Sequence, residues 1–258
     1  MKTVVCYKWV LDEADITLDS KTQEPNLKGV PFKISLYDLN AIEMAVSFST
    51  ANEGTCACLS VGTEAAISSR KDVLSRGPNS GYVVTGDRLE NADAFVTSQV
   101  IAAKIKALGD IDLVFFGEGS GDEYSQEVGP RVAGILGWPL ISYATEVSVE
   151  DGRLIAKKQV ESGIEVVSAA LPAVVTVAGE INRPRIPSMK DILGAGKKDF
   201  EASAVEDLGL SEDQLTPRIK IIKLKGSVPD RKRIVLEEKE AKVLAIEAIR
   251  HLMSDGVL

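Results

Sequence analysis

The residues most suited to chemistry form a glycine-rich, acidic loop at positions 117–127, with the sequence GEGSGDEYSQE. The loop follows an apolar run, IDLVFF, and precedes a segment with helical spacing. Glycine permits positive backbone φ and close approach of a ligand, and we expect both at Gly117, Gly119 and Gly121. The backbone amides of residues 124–128 would lie at a helix N-terminus, where they can bind a phosphate group. The pattern indicates a binding loop for an anionic ligand, with a purely structural turn as the alternative.

The acids of this loop restrict what the ligand can be. Four carboxylates would repel a phosphate that approached their side chains. A nucleotide remains compatible with the loop if the acids face ribose hydroxyls or the cations of a partner, while backbone amides bind the phosphates. The four acids are Glu118, Asp122, Glu123 and Glu127.

The elements around the loop alternate between strands and helices up to about residue 140. Short apolar runs predict strands at 3–10, 55–62, 81–85 and 111–117. Between them, apolar residues recur at helical spacing, as with Val96, Val100 and Ala103. Nearly continuous apolar strands separated by amphipathic helices predict a doubly wound, mostly parallel α/β sheet of the Rossmann-like type. Ligands of such sheets bind outside the carboxyl ends of the strands.

The pattern changes after Ile141. Asp151-Gly152 and Ser162-Gly163 mark hairpin turns, so we expect an antiparallel hairpin addition, after which PAVVTVAG returns to the main sheet. We place the α/β domain at residues 1–195 and an extended C-terminal arm at 196–258, because the arm has little periodicity before its last helix. That helix carries an apolar stripe that must cover something else.

Composition and charge exclude several classes of function. A net charge of -8 disfavours nucleic-acid binding, and the N-terminus lacks the pattern of a signal peptide or a membrane anchor. The three cysteines have no metal-ligand spacing and suit a reducing compartment, so we expect a cytoplasmic protein without a metal. There is no phosphate-loop lysine, no GxGxxG after the first strand and no plausible catalytic triad, and the single histidine, His251, lies in the last helix. The chain is therefore expected to hold a nucleotide without reacting with it, as a non-enzymatic subunit. The alternatives are a nucleotide-activating enzyme on a related fold and a nucleotide-binding module with no redox role.

Several motifs together resemble the β subunit of electron-transfer flavoproteins over the whole chain. They are VVCYKWVLDEADI, YDLNAIEMA, GSGDEYSQEVGP, KKQVESGIEVVSAALPAVVTV and NRPRIPSMKDILGAGKK. The stretches RKDVLSRGP and GEGSGDEYSQ are similar to the Fix-type branch, which is associated with carnitine metabolism and with flavin-based bifurcation from NADH. The resemblance implies an α subunit that carries the redox-active FAD. It also implies a second nucleotide, either AMP or another FAD, in this chain.

The resemblance also implies which residues contact that nucleotide. The loop departs from the common family pattern at Glu118, Gly119 and Ser120. The expected cofactor-binding residues are Cys6, Ser35, Leu36, Tyr37, Asp38, Val61, Gly117, Gly119, Ser120, Gly121, Asp122, Tyr124, Ser125, Gln126, Glu127 and Val128.

A second functional segment is implied at residues 177–198, the recognition segment, which in the family docks on acyl-CoA-dehydrogenase-type flavoenzymes. A surface linker is the alternative interpretation. Met189 takes the position of the apolar anchor at the tip of a loop, and nearby cations would meet an acidic rim. The expected docking residues are Arg183, Arg185, Ile186, Pro187, Met189, Lys190 and Ile192.

Overall fold

The computed structural model describes residues 1–227, 232–237 and 240–258. The chain divides into two compact units. The larger comprises Met1–Thr17 and Asn26–Lys223, and the smaller comprises Leu18–Pro25 and Leu224–Leu258.

Strands and helices alternate through most of the chain. The strands are β1 Lys2–Cys6, β2 Trp9–Leu11, β3 Thr17–Leu18, β4 Pro25–Asn26, β5 Phe32–Ile34, β6 Thr55–Gly62, β7 Ser80–Thr85, β8 Leu113–Gly117, β9 Leu140–Glu150, β10 Arg153–Val160, β11 Gly163–Ala169, β12 Ala173–Val177 and β13 Phe200–Ala204. The helices are α1 Leu36–Ala51, α2 Arg70–Ser75, α3 Ala94–Leu108, α4 Val128–Leu136, α5 Met189–Ala195 and α6 Ala241–Ser254.

Among the described residues, nine strands form one sheet in the order β11-β10-β9-β12-β8-β1-β6-β7-β13. The pairs from β9 to β13 along this order are parallel, and β10 and β11 add an antiparallel hairpin at one edge. This arrangement confirms the predicted fold class. The hairpin and the return of PAVVTVAG to the sheet as β12 are also as predicted.

Helices cover both faces of the sheet. Val5 and Phe115 pack with α1 and α2 on one face, whereas Val4 and Val114 pack with α3 and α4 on the other. All five residues of β8 are buried, as are all five of β12. Because side chains alternate between the faces of a strand, burial on both faces requires the continuous apolar runs that the sequence shows.

The order in which successive strands are added to the sheet reverses at β1. From β1 the chain passes through α1 to β6 and β7, and α3 then returns it to β8 on the other side of β1. In an open parallel sheet this reversal leaves a crevice outside the carboxyl ends of the two central strands. The crevice here lies after Cys6 of β1 and Gly117 of β8.

One strand lies beyond the expected domain boundary at residue 195. β13 pairs in parallel with β7 at the edge of the sheet, and the larger unit continues to Lys223. Phe200 fills the space over Gly81, where an added Cβ would lie 2.6 Å from the phenyl ring. The segment FEASA falls in the predicted arm because an edge strand is only half covered and lacks a strong apolar pattern. The expected arm also includes residues 228–231 and 238–239, which lie outside the described residues.

The smaller unit contains the last helix, which the sequence predicts. None of the residues of α6 is buried, and the stripe formed by Val243, Ile246 and Ile249 is exposed. Within this unit the Lys232 ammonium pairs with Asp255 at 2.5 Å, and the Gly226 amide donates to the Gln23 carbonyl at 2.8 Å. No helix in the described part of the chain is long and apolar enough to cross a membrane.

Candidate functional site

A cavity of about 340 Å³ lies at the carboxyl edge of the sheet, where the crevice was expected. Its walls come from the ends of β1, β6, β8 and β12 and from the first turns of α1, α3 and α4. Eleven of the predicted cofactor-binding residues line it: Cys6, Asp38, Val61, Gly117, Gly119, Ser120, Asp122, Ser125, Gln126, Glu127 and Val128.

The other five predicted residues lie beside the cavity without lining it. Ser35 precedes α1 and is fully buried, and its Oγ accepts a hydrogen bond from the Gly121 amide at 3.1 Å. The rings of Tyr37 and Tyr124 pack together at 5.0 Å between centroids, and Leu36 is exposed. These contacts tie the 117–127 loop to the start of α1.

The expectation of positive φ at the three loop glycines is wrong. The left-handed residues are Tyr124, with φ of 48°, and Gln126, with φ of 59°. Gly117 and Gly119 instead prevent collisions, because an added Cβ would lie 2.7 Å from Asp38 Oδ1 at the first and 2.6 Å from the Tyr124 ring at the second. At Gly121 an added Cβ would meet nothing within 4 Å. Glycine therefore serves here to allow close packing of the loop, and only at two of the three positions.

Asp38 connects the two central strands at the base of the cavity. Its buried carboxylate accepts hydrogen bonds from the Lys8 amide at 2.8 Å and the Gly117 amide at 3.3 Å. Burial raises the pKa of Asp38 to about 7, although these two hydrogen bonds and the Lys8 charge oppose the shift. The carboxyl group therefore fixes the end of β8 against β1 and titrates close to neutral pH.

Lys8 holds the acidic part of the loop and is not among the predicted site residues. Its ammonium lies 2.8 Å from Asp122 and 3.1 Å from Glu123. Burial alone would raise the pKa of Asp122, but the Lys8 charge and hydrogen bond lower it below its ordinary value. The only signal in the sequence was one cation directly after the first strand, opposite a loop that carries several acids. This pattern does not indicate which acids the cation pairs with.

The helix N-terminus predicted to bind phosphate is present as the first turn of α4. Tyr124 does not contribute, since its amide donates to the Ser120 carbonyl at 3.1 Å. For the amides of residues 125–129 the structure shows no acceptor within the described part of the chain. Glu127 forms an ion pair with Arg131, whose guanidinium donates to the carboxylate at 2.6 and 2.8 Å. The residues that carry these free amides all line the cavity, next to an acid that already has a cation partner.

A second helix N-terminus also borders the cavity. Asp93 caps α3 by accepting from the Val96 amide at 2.9 Å, and Ala94 and Thr97 line the wall beyond it. The helical spacing in the sequence predicts α3 but not its contribution to the site. Asp93 before an apolar periodic segment is an N-cap signal, and it would have located this turn.

The residues around the cavity fit a nucleotide. The free amides at α4 suit a phosphate group, and the carboxylate of Asp122 suits hydroxyl groups of a sugar. Leu89, Ile101 and Phe116 supply an apolar wall on which a flat base can pack.

The recognition segment presents an apolar surface. Met189 is 71% exposed, Ile186 is 93% exposed and Leu193 is 71% exposed. Met189 is the first residue of α5, behind a capping box formed by Ser188 and Asp191, so it opens a helix instead of standing at the tip of a loop. Leu193 was missed, although its spacing of four residues from Met189 on a helix indicates the same face.

Two expected docking cations, Arg183 and Arg185, differ in their surroundings. Arg183 and Lys190 are exposed. Arg185 is engaged within the chain, where it donates to both carboxylate oxygens of Glu43 at 2.6 and 2.8 Å. Arg185 is therefore less free to meet a partner's acids than the sequence alone predicts.

The comparison with known families agrees with the fold. The sequence model of the "Electron transfer flavoprotein domain" matches residues 27–208, more than half of the chain. The matched range begins before α1 and includes the 117–127 loop, the hairpin and the recognition segment. The chain therefore belongs to the electron transfer flavoprotein family.

Proposed function

We propose that this chain is the β subunit of a heterodimeric electron transfer flavoprotein of the Fix-type branch. Members of the family are electron carriers and usually bind flavin, which supports a role in electron transport without a catalytic centre of its own. In this proposal the α subunit carries the redox-active FAD. The β subunit completes its environment, holds a second nucleotide and docks on the redox partner.

The observation that carries the nucleotide proposal is the row of unpaired amides at α4 beside a carboxylate-lined cavity. The amides of residues 125–129 would bind phosphate oxygens, and Asp122 would accept from the sugar hydroxyls. The nucleotide is AMP or a second FAD. A flavin at this site would supply a second redox group, as bifurcation with NADH as donor requires.

The exposed surface of the recognition segment supports docking to an acyl-CoA-dehydrogenase-type flavoenzyme. Ile186, Met189 and Leu193 place three apolar side chains beside the exposed cations Arg183 and Lys190. An apolar centre with a charged rim is a common arrangement for protein recognition. A dehydrogenase of carnitine metabolism is the partner that the resemblance favours.

The exposed stripe of α6 supports pairing with the α subunit. A 14-residue helix with no buried residue gains little from folding alone, because helices are stabilised mainly by packing of an apolar face. In the proposed heterodimer the α subunit covers Val243, Ile246 and Ile249.

The test is the composition of the complex purified from its native source. We expect flavin absorbance bands, a second chain in equal amount, and either one FAD plus one AMP or two FAD per heterodimer after acid release and chromatography. Asp122→Ala in the same complex should lose the second nucleotide and keep the first FAD. A complex without flavin, or with its full nucleotide content in the variant, would contradict the proposal.

A further inference from the structure

One face of helix α1 is bonded to the start of the recognition segment. Asn40 donates through its side-chain amide to the carbonyls of Gly179 at 3.0 Å and Asn182 at 2.9 Å. Asn182 returns a hydrogen bond from its own side-chain amide to the Asn40 carbonyl at 2.9 Å. The two asparagines thus lock the backbone where the chain leaves the central sheet after β12.

One helical turn further along α1, Glu43 holds the next part of the segment. Its carboxylate accepts from the Arg185 backbone amide at 3.1 Å and from the guanidinium at 2.6 and 2.8 Å. The side chain of Glu43 is only 16% exposed. The guanidinium bonds lower the pKa of Glu43 against the effect of its partial burial, so the pair stays ionised. A two-pronged arginine–carboxylate pair fixes orientation as well as distance.

The helix that makes these contacts is itself held firmly. Ala41, Ile42 and Ala45 are buried on the opposite face of α1. Asn40 and Glu43 share the outward face because residues three apart on a helix are neighbours.

The far end of the segment is fixed by different contacts. Lys198 donates to the carbonyls of Leu74, Gly77 and Pro78 at 2.9, 3.3 and 2.6 Å, and these carbonyls lie at and beyond the end of α2. Ala195 at the end of α5 is fully buried. The exposed apolar surface of Ile186, Met189 and Leu193 therefore lies between two anchored ends.

We propose that Asn40 and Glu43 are positioning residues that hold the recognition segment in one orientation, so that its apolar surface is ordered before a partner arrives. Ordering side chains and loops at an interface reduces affinity, and a surface ordered in advance avoids that cost. The expected effect on partner affinity rests on the proposed docking function. The positioning itself is independent of that function and can be measured separately.

The direct test is the mobility of a spin label in the intact heterodimer. All three cysteines of this chain are buried, so labelling the isolated Lys190→Cys chain before it is combined with unlabelled α subunit places the label on the segment. In Asn40→Ala and in Glu43→Gln the label should become clearly more mobile. The charge exchange Glu43→Arg with Arg185→Glu should restore much of the order. Glu146→Gln is the matched control, because it breaks an exposed ion pair with Lys157 in the hairpin, outside the segment.

The second readout is dehydrogenase reduction as a function of dehydrogenase concentration, with unlabelled protein. We expect about a tenfold rise in the half-saturating concentration in Asn40→Ala and Glu43→Gln, with the maximal rate and the flavin content unchanged. An unchanged spectrum of the label in both variants would overturn the positioning role. A more mobile label with an unchanged half-saturating concentration would support positioning and refute the docking function instead.

Discussion

Replacing Gly117 by alanine is the sharpest test of how the end of β8 is built. The new Cβ would lie 2.7 Å from Asp38 Oδ1 and 2.7 Å from the carbonyl carbon of Tyr37. The first obstacle is a buried carboxylate, and the second is backbone in the first turn of α1. Neither can rotate away as the end of a long side chain can, so β8 or α1 must move.

The expected cost follows from these two contacts. Overfilling a packed site costs about 1–3 kcal/mol. The displacement also breaks the hydrogen bond from the Gly117 amide to Asp38, which contributes roughly 1 kcal/mol. We expect the free energy of unfolding to fall by about 2–4 kcal/mol, and the nucleotide to be lost because the same movement opens the base of the cavity.

The assay is urea denaturation of the purified heterodimer, together with its nucleotide content. Gly121→Ala is the matched control in the same loop, since its Cβ would meet nothing within 4 Å and its φ lies outside the left-handed region. This control should keep both stability and nucleotide. If Gly117→Ala were as stable as the control and kept its nucleotide, the packing argument for this end of the sheet would be refuted.

Three further perturbations test other parts of the molecule. The free energy of unfolding should fall as pH rises from about 4 to about 7, because the raised pKa of Asp38 keeps its proton on the folded state after the unfolded state has released it. The total effect is at most about 4 kcal/mol. If urea denaturation of Asp38→Asn showed an equally steep pH dependence, this role of Asp38 would be contradicted. Met189→Ala should raise the half-saturating dehydrogenase concentration about thirtyfold with no change in melting temperature, whereas Ile164→Ala, at an exposed apolar residue of β11, should leave both the same. Truncation after Lys223, where the larger unit ends, should leave that unit folded by circular dichroism and abolish co-purification with the α subunit, and retained co-purification would assign the contact to the larger unit.

The central sheet could be predicted because its buried strands are continuous apolar runs in the sequence. LVFF in β8 and AVVTV in β12 are apolar at every position but one, as strands covered on both faces require. β13 left no such trace, since FEASA is at an edge and buries few of its side chains. An edge strand is recognised through the strand that it pairs with. Phe200 pairs with Gly81, 119 residues earlier in the sequence, so no local pattern indicates this pairing.

The site was predictable in its location but not in its internal contacts. The loop after β8 lies at the edge where ligands of parallel sheets bind, and that inference needs only the order of the elements. The pairing of Lys8 with Asp122 and Glu123 joins residues that are distant in sequence, so no periodicity indicates it. The backbone conformation of the glycines also depends on what the loop packs against. Close contact with α1 therefore explains Gly117, and intrinsic flexibility does not.

The acids of the loop would weaken a phosphate site only if their charges were unopposed. Asp122 and Glu123 share the ammonium of Lys8, and Glu127 faces the guanidinium of Arg131. The Glu127–Arg131 pair is neutral and acts at longer range mostly as a dipole, whereas Asp122 and Glu123 with one ammonium keep a single net negative charge. Residues 125–129 line the cavity, and their amides have no acceptor within the described part of the chain, so they are available to an anion at short range. Two cations therefore offset two of the four carboxylate charges, while Glu118 accepts only a hydrogen bond from the Tyr124 hydroxyl among the described residues. The free amides must bind an anion at short range against this remaining negative charge.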